Sequence, residues 1–125
     1  MRLTSLVNLL SGAISAADYS AEIAVELAEH TRRLGHGGSA PVQVTEDTDL
    51  VLDRAGLSVL CRLFSSGQLT AGALAYTADV LELAERVEFA GPDIANDLAE
   101  CTDPEINGPL TVARALQIAD TADAA

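Results

Sequence analysis

Four signals for the start of a helix lie within residues 69–116, and they constrain the fold more than any other feature of this sequence. In two of them an apolar residue precedes a threonine, whose hydroxyl can accept a hydrogen bond from an N–H of the first helical turn. In the other two, a proline takes the first helical position, where its missing N–H costs nothing. The signals are Leu69-Thr70, Gly91-Pro92, Asp103-Pro104 and Leu110-Thr111. They predict short helices that pack at angles.

The composition favours the same fold class. Hydrophobic residues make up 49% of the 125 residues, whereas aromatic residues make up only 3% and tryptophan is absent. The core must therefore be built from aliphatic side chains, which suits close-packed helices better than a β-sandwich. The length fits one domain. We predict an all-α protein, a single compact bundle of about five to six short helices with little or no strand.

The chain divides into three stretches within that domain. Residues 1–34 are predicted to hold N-terminal helices, residues 35–47 a flexible loop rich in glycine, and residues 48–119 the core helices. In the first stretch, apolar residues recur at helical spacing, and Ser15 is placed to cap a second helix. The two predicted apolar stripes are Leu3, Leu6, Val7, Leu10 and Ile14, followed by Tyr19, Ile23, Leu27, His30 and Leu34.

The extreme N-terminus also has some features of a signal peptide. Arg2 is followed by an uncharged run that reaches Ala17. Polar residues such as Ser5 and Asn8 interrupt this run, and it is too short to span a bilayer. We therefore favour an amphipathic helix over a signal peptide here.

The third stretch is expected to begin with a helix that is apolar on several faces. Asp47-Thr48 is the predicted cap, the apolar run covers residues 50–64, and Gly67 is the predicted stop. Thr70 is then expected to start a helix that keeps Val87 on its inward face. A helix of several apolar faces would occupy the centre of the bundle.

Two shorter helices complete the prediction. Residues 92–100 are expected to bury Ile94, Leu98 and Cys101. Residues 112–119 form the last helix, and the tail beyond Ala119 is expected to fray. The side chains that this last helix is predicted to turn toward the core are Val112, Ala115, Leu116 and Ala119.

No pattern for a metal or a catalytic centre is complete in this sequence. Residues 103–108 match the first six positions of a calcium-binding loop. The twelfth position of such a loop must be a bidentate Glu, and here it is Arg114. Glu26 and His30 form an i, i+4 pair beside Glu29, but a metal site would need another ligand from elsewhere, and the only other histidine is His36 in the glycine loop. An ionised helix face therefore explains these residues better. The chain has no lysine for a phosphate-binding loop and no nucleophile motif. We expect no enzyme activity, no cofactor and no metal.

Two cysteines, Cys61 and Cys101, lie far apart in the sequence and at no metal-ligand spacing. Free cysteines behave as small buried hydrophobes, so both are expected in the core, and a disulfide between them is left open. Reduced thiols are typical of the cytoplasm.

The charge distribution restricts the partners. The chain has nineteen acidic residues and seven arginines, which gives a net charge of −12. A field of this sign repels nucleic-acid phosphates and anionic membranes, and it attracts basic surfaces. Residues 79–105 hold nine acids against Arg86 alone, either as a solvated face or as a docking surface for a basic partner. The nine are Asp79, Glu82, Glu85, Glu88, Asp93, Asp97, Glu100, Asp103 and Glu105.

Two segments of the second half carry a resemblance to a known family. They are Tyr76-Thr77-Ala78-Asp79-Val80-Leu81-Glu82-Leu83 with the following Val87-Glu88-Phe89, and the turn from Thr102 through Asp103-Pro104-Glu105-Ile106-Asn107-Gly108 to Thr111. In these segments the chain resembles the MafI-like immunity proteins of bacterial polymorphic toxin systems. The turn is the more specific part, and the first 45 residues take no part in the resemblance.

The resemblance implies a small helical immunity protein that neutralises a cognate toxin domain in the cytoplasm. The nine acids would then contact a basic toxin and bind no nucleic acid directly. An alternative is a small non-enzymatic adaptor or homodimeric structural protein, whose interface would be an exposed apolar face of residues 50–64.

Overall fold

The computed structural model describes residues 1–35, 42–102 and 109–124. Within them the chain forms six helices and two short strands, which confirms the predicted mostly helical fold. Central helix α3 contacts α1, α4, α5, α6 and strand β1, and its closest packing is against α6. The elements are α1 (Leu3–Ser11), α2 (Ala16–Gly35), β1 (Leu50–Leu52), α3 (Arg54–Ser65), α4 (Ala71–Leu83), β2 (Val87–Phe89), α5 (Pro92–Ala99) and α6 (Val112–Ala124).

The N-terminal pair of helices follows the predicted pattern in part, because α1 buries Leu3 and Leu6 as predicted but also Leu9, which was not in the predicted stripe. The other predicted residues of that stripe, Val7, Leu10 and Ile14, are only partly buried. Gly12 ends α1 with a φ of 80°, a left-handed conformation that glycine adopts without strain. The hydroxyl of Ser15 then accepts a hydrogen bond from the Asp18 N–H, as expected of a helix cap. Tyr19 and Ile23 are fully buried on the inner face of α2. The first two helices therefore contribute one continuous apolar surface to the core.

The largest error of the sequence prediction lies between residues 47 and 53. Asp47-Thr48 does not cap a helix, because Leu50–Leu52 is an extended strand. Asp53 is the true cap of α3, and its carboxylate accepts a hydrogen bond from the Gly56 N–H at 2.8 Å. β1 pairs in parallel with β2, with Leu50 opposite Val87 and Leu52 opposite Phe89. Val87 therefore belongs to a strand and not to the helix that begins at Thr70.

Helices α4 and α5 begin where the sequence predicted. The Thr70 hydroxyl accepts a hydrogen bond from the Ala73 N–H at 3.1 Å. Gly91 and Pro92 start α5, which buries Ile94 and Leu98. Before α4, Gly67 adopts a φ of 80° and ends the turn that follows α3. Local capping chemistry accounts for these boundaries.

The last helix, α6, differs from its prediction in two ways. It continues to Ala124, beyond the predicted end at Ala119, and the expected fraying of the tail stays a prediction. Its core-facing residues are Ala115, Ile118 and Ala119, whereas Val112 and Leu116 are partly exposed. Ile118 fits the inner stripe because it lies three residues after Ala115 on the same helical face. The Thr111 hydroxyl caps the helix by accepting from the Arg114 N–H at 3.1 Å.

The core is aliphatic apart from a few groups that have polar atoms. Tyr19 and Tyr76 are its largest fully buried side chains, and the Tyr19 hydroxyl lies 2.7 Å from the Thr77 Oγ1. Cys61 and Cys101 are both buried and free. Of the loop predicted at residues 35–47, residues 36–41 lie outside the described residues, as does the turn at residues 103–108. The described part, residues 42–47, includes Thr45, which pairs with Arg2 in an isolated parallel bridge.

Candidate functional site

The nine predicted partner-binding acids do not form one uniform surface. Asp79 and Glu82 lie on α4, and Asp79 is half-buried whereas Glu82 is exposed. Glu85 lies in the turn after α4, and Glu88 is the outward residue of β2. Asp103 and Glu105 lie outside the described residues, so their predicted role stays a prediction. The remaining three, on and just after α5, are Asp93, Asp97 and Glu100.

The acids of α5 are already paired with arginines of the same chain. Arg114 holds Glu100 in a two-pronged ion pair, with nitrogen–oxygen distances of 2.6 and 3.0 Å, and lies 3.9 Å from Asp97. Arg54 lies 3.2 Å from Asp93. The hydrogen bond from Arg114 lowers the pKa of the Glu100 carboxyl. These carboxylates join α5 to α3 and α6, which gives them a structural role.

Glu82, Glu85 and Glu88 differ from the α5 acids. In the described part of the chain none of the three has an ion pair, and all are exposed. Partial burial and the nearby charge of Asp79 raise the pKa of the Glu82 carboxyl. The charges of these three carboxylates are therefore available to an external cation.

The fold adds acids that sequence reasoning placed elsewhere. Arg86, the only basic residue between positions 79 and 105, donates from its backbone N–H to the Glu46 carboxylate at 2.7 Å and from Nε to Asp49 at 2.7 Å. The sequence predicts Asp47 at the start of a helix, and Asp49 would then lie in its first turn. The parallel pairing of β1 with β2 instead brings these acids beside the segment that holds Glu85 and Glu88.

We call this group the acidic edge, and it comprises Glu46, Asp47, Asp49, Glu85 and Glu88. Glu46 and Asp49 bind Arg86 directly, Asp47 lies near enough to act on its charge, and Glu85 and Glu88 flank it in the chain. The Arg86 guanidinium lowers the pKa of Asp49, and a backbone hydrogen bond from Thr4 lowers that of Asp47, so both stay ionised at neutral pH. No alternation of polar and apolar residues marks this strand in the sequence, because Leu50, Val51 and Leu52 are all apolar, and their buried, exposed and buried order is seen only in the structure.

The histidine and glutamates of α2 have structural partners. The Glu26 carboxylate accepts a hydrogen bond from the Tyr76 hydroxyl at 2.8 Å, and the buried His30 ring packs edge-on against the Tyr76 ring at a centroid distance of 5.0 Å. Arg32 and Arg33 bind Glu29 and lower its pKa to about 2. Among the described residues, no three His, Cys, Asp or Glu side chains are grouped so as to hold a metal ion.

Comparison with known proteins gives no relative. No family model, no curated protein and no solved structure matches the chain. In the described ranges, no helix is both long enough and apolar enough to cross a membrane. The function must therefore follow from the chemistry of the residues themselves.

Proposed function

We propose that this chain is an immunity protein that binds and neutralises a basic toxin domain through its acidic surface in the cytoplasm. The observation that carries the proposal is the set of exposed carboxylates at Glu82, Glu85 and Glu88, of which the last two belong to the acidic edge. None of the three has an ion pair within the described ranges. The resemblance of residues 76–83 and 102–111 to MafI-like immunity proteins supports the same function.

The electrostatics suit a toxin that acts on nucleic acid. Such a toxin needs a basic cleft for phosphates, and closely spaced carboxylates can occupy that cleft as phosphate mimics. Opposite charges also speed the encounter of two proteins, which favours an inhibitor that must act before damage occurs. The mutual repulsion of Glu82 and Asp79 would be relieved by a bound cation. Binding to a basic surface would thus reduce the repulsion between these two carboxylates.

The strand pair gives this surface a defined shape. Val87 and Phe89 are partly buried on one face of β2, so Glu88 points outward. Its neighbour across the pairing is Val51, which is 60% exposed. An acid beside an exposed aliphatic side chain provides both charge and apolar contact, and interfaces combine an apolar centre with a polar rim.

The test is neutralisation of a toxin by co-expression. The full chain is expressed with the product of the adjacent upstream reading frame, and cell survival and co-purification are measured over a range of salt concentrations. The proposal predicts rescue, and a complex that weakens as salt rises because screening reduces charge attraction. Glu85→Lys and Glu88→Lys should each reduce rescue, whereas reversal at Asp97 or Glu100 is unsuitable because it also breaks the contacts with Arg114.

Asp18→Lys is the matched control. Asp18 is an exposed acid in the first turn of α2, and its reversal changes the net charge as much as Glu88→Lys does. Equal loss of rescue from both variants would mean that only net charge matters and would overturn the docking surface. If no neighbour is toxic and the chain runs as a salt-insensitive dimer, the adaptor alternative replaces the proposal. For that alternative, residues 50–64 offer one exposed large apolar side chain, Val51, since Leu50, Leu52, Leu57 and Leu60 are buried within the chain.

A further inference from the structure

A cavity of about 560 Å³ lies beside α4, and parts of α2 and α3 together with residues 101–102 and 109–110 complete its described wall. Much of its wall is apolar, with Leu27, Phe64, Leu74 and Leu83 among the lining residues. Cavities of this size and lining bind small organic molecules when a few polar groups converge on them. The polar groups in the wall then determine which class of molecule binds.

One polar group in the wall lacks a partner. His30 lines the cavity and is only 8% exposed, and its Nδ1 has no hydrogen-bond partner among the described residues. Burial of a polar atom without a partner carries a desolvation cost that a bound ligand could offset. The edge-on packing of its ring against Tyr76 keeps the imidazole in place at the wall. This wall therefore has unused hydrogen-bonding capacity.

The same wall carries negative charge. Asp79 and Glu82, one turn apart on α4, both line the cavity, and Glu82 has no ion pair within the described ranges. The described lining residues include no arginine, and the chain has no lysine. The raised pKa of Glu82 is consistent with this setting, because burial and Asp79 both disfavour its ionised form. A cation beside Glu82 would stabilise that ionised form.

We propose that the cavity binds an amphipathic amine, a small molecule with an ammonium head and an aliphatic or aromatic body. The body packs against the apolar wall, and the head lies beside Glu82, on the side of α4 that also holds Asp79. The unpartnered Nδ1 of His30 gives the same wall a second group that can hydrogen-bond to a polar part of the ligand. This proposal does not depend on the immunity function, since it concerns a different ligand.

The first experiment compares three ligands of equal chain length, namely octylamine, octanol and octanoate, with the full chain at neutral pH. Calorimetry gives the affinities, and amide chemical shifts locate the site. Octylamine should bind about ten times more tightly than octanol, because a charge-assisted contact adds to the same apolar burial. Octanoate should show no binding, since its charge is repelled. The shifts should map to residues of α2 and α4 that line the cavity.

Three variants test the assigned contacts. Glu82→Gln should bring octylamine close to the affinity of octanol and leave octanol unchanged. His30→Phe keeps a ring against Tyr76 but removes both nitrogens, and it should weaken octylamine more than octanol. Ala75→Leu places extra bulk on the wall and should weaken both ligands. Glu88→Gln is the control, because Glu88 is exposed on β2 and is not among the lining residues.

Two outcomes would overturn the proposal. Equal affinities for the amine and the alcohol in the unmodified chain would show an apolar cavity without a cation site, whatever the variants do. Equal weakening by Glu82→Gln and Glu88→Gln would show general attraction to an acidic protein. A further supporting readout is the pKa of Glu82, which should fall when octylamine saturates the site. A negative result leaves the immunity proposal standing, since that proposal is tested with a toxin.

Discussion

At the scale of single residues, the few polar groups in the core are matched in pairs. The chain has only two tyrosines, and both are fully buried. Tyr19 shares a hydrogen bond with Thr77, and Tyr76 donates to Glu26 while it accepts from the Gln43 N–H. Burial raises the pKa of Tyr76 to about 12, so its hydroxyl stays a donor throughout the physiological range. These pairs position helices that otherwise meet through interchangeable aliphatic contacts.

Tyr19→Phe tests one such pair. The change leaves the Thr77 hydroxyl buried without its partner, so it should lower the free energy of unfolding by about 1–3 kcal/mol, measured by urea denaturation. The double variant Tyr19→Phe with Thr77→Val removes both polar atoms and should recover part of that loss. If the double variant is as unstable as the sum of the two single variants, the hydrogen bond is not the cause.

The two thiols provide a second test at this scale. Cys61 and Cys101 are both buried and free, and their mutual hydrogen bond, together with burial, raises the pKa of the Cys101 thiol. Because both thiols are buried, both should resist labelling by a bulky thiol reagent in the native protein and react on unfolding. Labelling rates with and without denaturant measure this. Rapid native labelling of either residue would contradict its position in the core.

At the scale of helices and strands, local capping residues determine where some helices begin, and tertiary contacts determine where others begin. Ser15, Thr70 and Thr111 act within one helical turn of themselves, so the sequence suffices to place the helices that they start. The start of α3 depends instead on the pairing of β1 with β2, which lies more than thirty residues further along the chain. Local signals could not distinguish Asp47 from Asp53 as the cap, since the two residues are chemically identical.

The candidate site could likewise be predicted only in part from local sequence signals. Acid density along the sequence identified Glu82, Glu85 and Glu88, but it could not reveal which acids the fold would pair with arginines. Arg114 follows Glu100 by fourteen positions and Arg54 precedes Asp93 by thirty-nine. The cavity could not be predicted from the sequence either, because its wall includes residues of α2, α3 and α4, which come together only in the folded chain. The sequence predicted features that depend on neighbouring residues in the chain, such as helix caps. It did not predict features that depend on tertiary packing, such as the ion pairs between helices and the cavity.

Two glycines allow a matched test of the turn before α4. Gly67 has a φ of 80°, so Gly67→Ala should cost about 1 kcal/mol of stability through left-handed strain. Gly72 lies in the first turn of α4 with open space where a methyl group would point, so Gly72→Ala should add up to about 1 kcal/mol through helix propensity. Thermal unfolding of both variants measures the difference. Effects of the same sign would contradict the assigned backbone conformations.

At the scale of the whole molecule, the net charge of −12 opposes folding. Repulsion among carboxylates is greater in the compact chain than in the unfolded one. The intramolecular pairs of Arg54, Arg86 and Arg114 offset part of this repulsion in the part of the chain that the structure describes. Stability should therefore depend on ionic strength more than it does for a neutral protein of this size.

Added sodium chloride should raise the melting temperature at neutral pH, because screening weakens the repulsion. The double variant Glu85→Lys and Glu88→Lys reduces the net charge from −12 to −8, since each reversal adds two positive charges. Its melting temperature should be higher at low salt and should rise less with salt. A melting temperature that falls with moderate salt would mean that the ion pairs contribute more than the repulsion.

The parallel pairing of β1 with β2 has a kinetic consequence. In the sequence α3 and α4 lie between the two strands, so the pairing of the strands closes a long loop. Closing this loop costs conformational entropy, and we expect that cost to be offset only after those helices have packed. Leu52→Ala, at a fully buried position of β1, should therefore speed unfolding and leave the folding rate almost unchanged. Leu60→Ala, inside α3, should slow folding as well. If both variants slow folding equally in stopped-flow measurements, the strands join during the rate-limiting step.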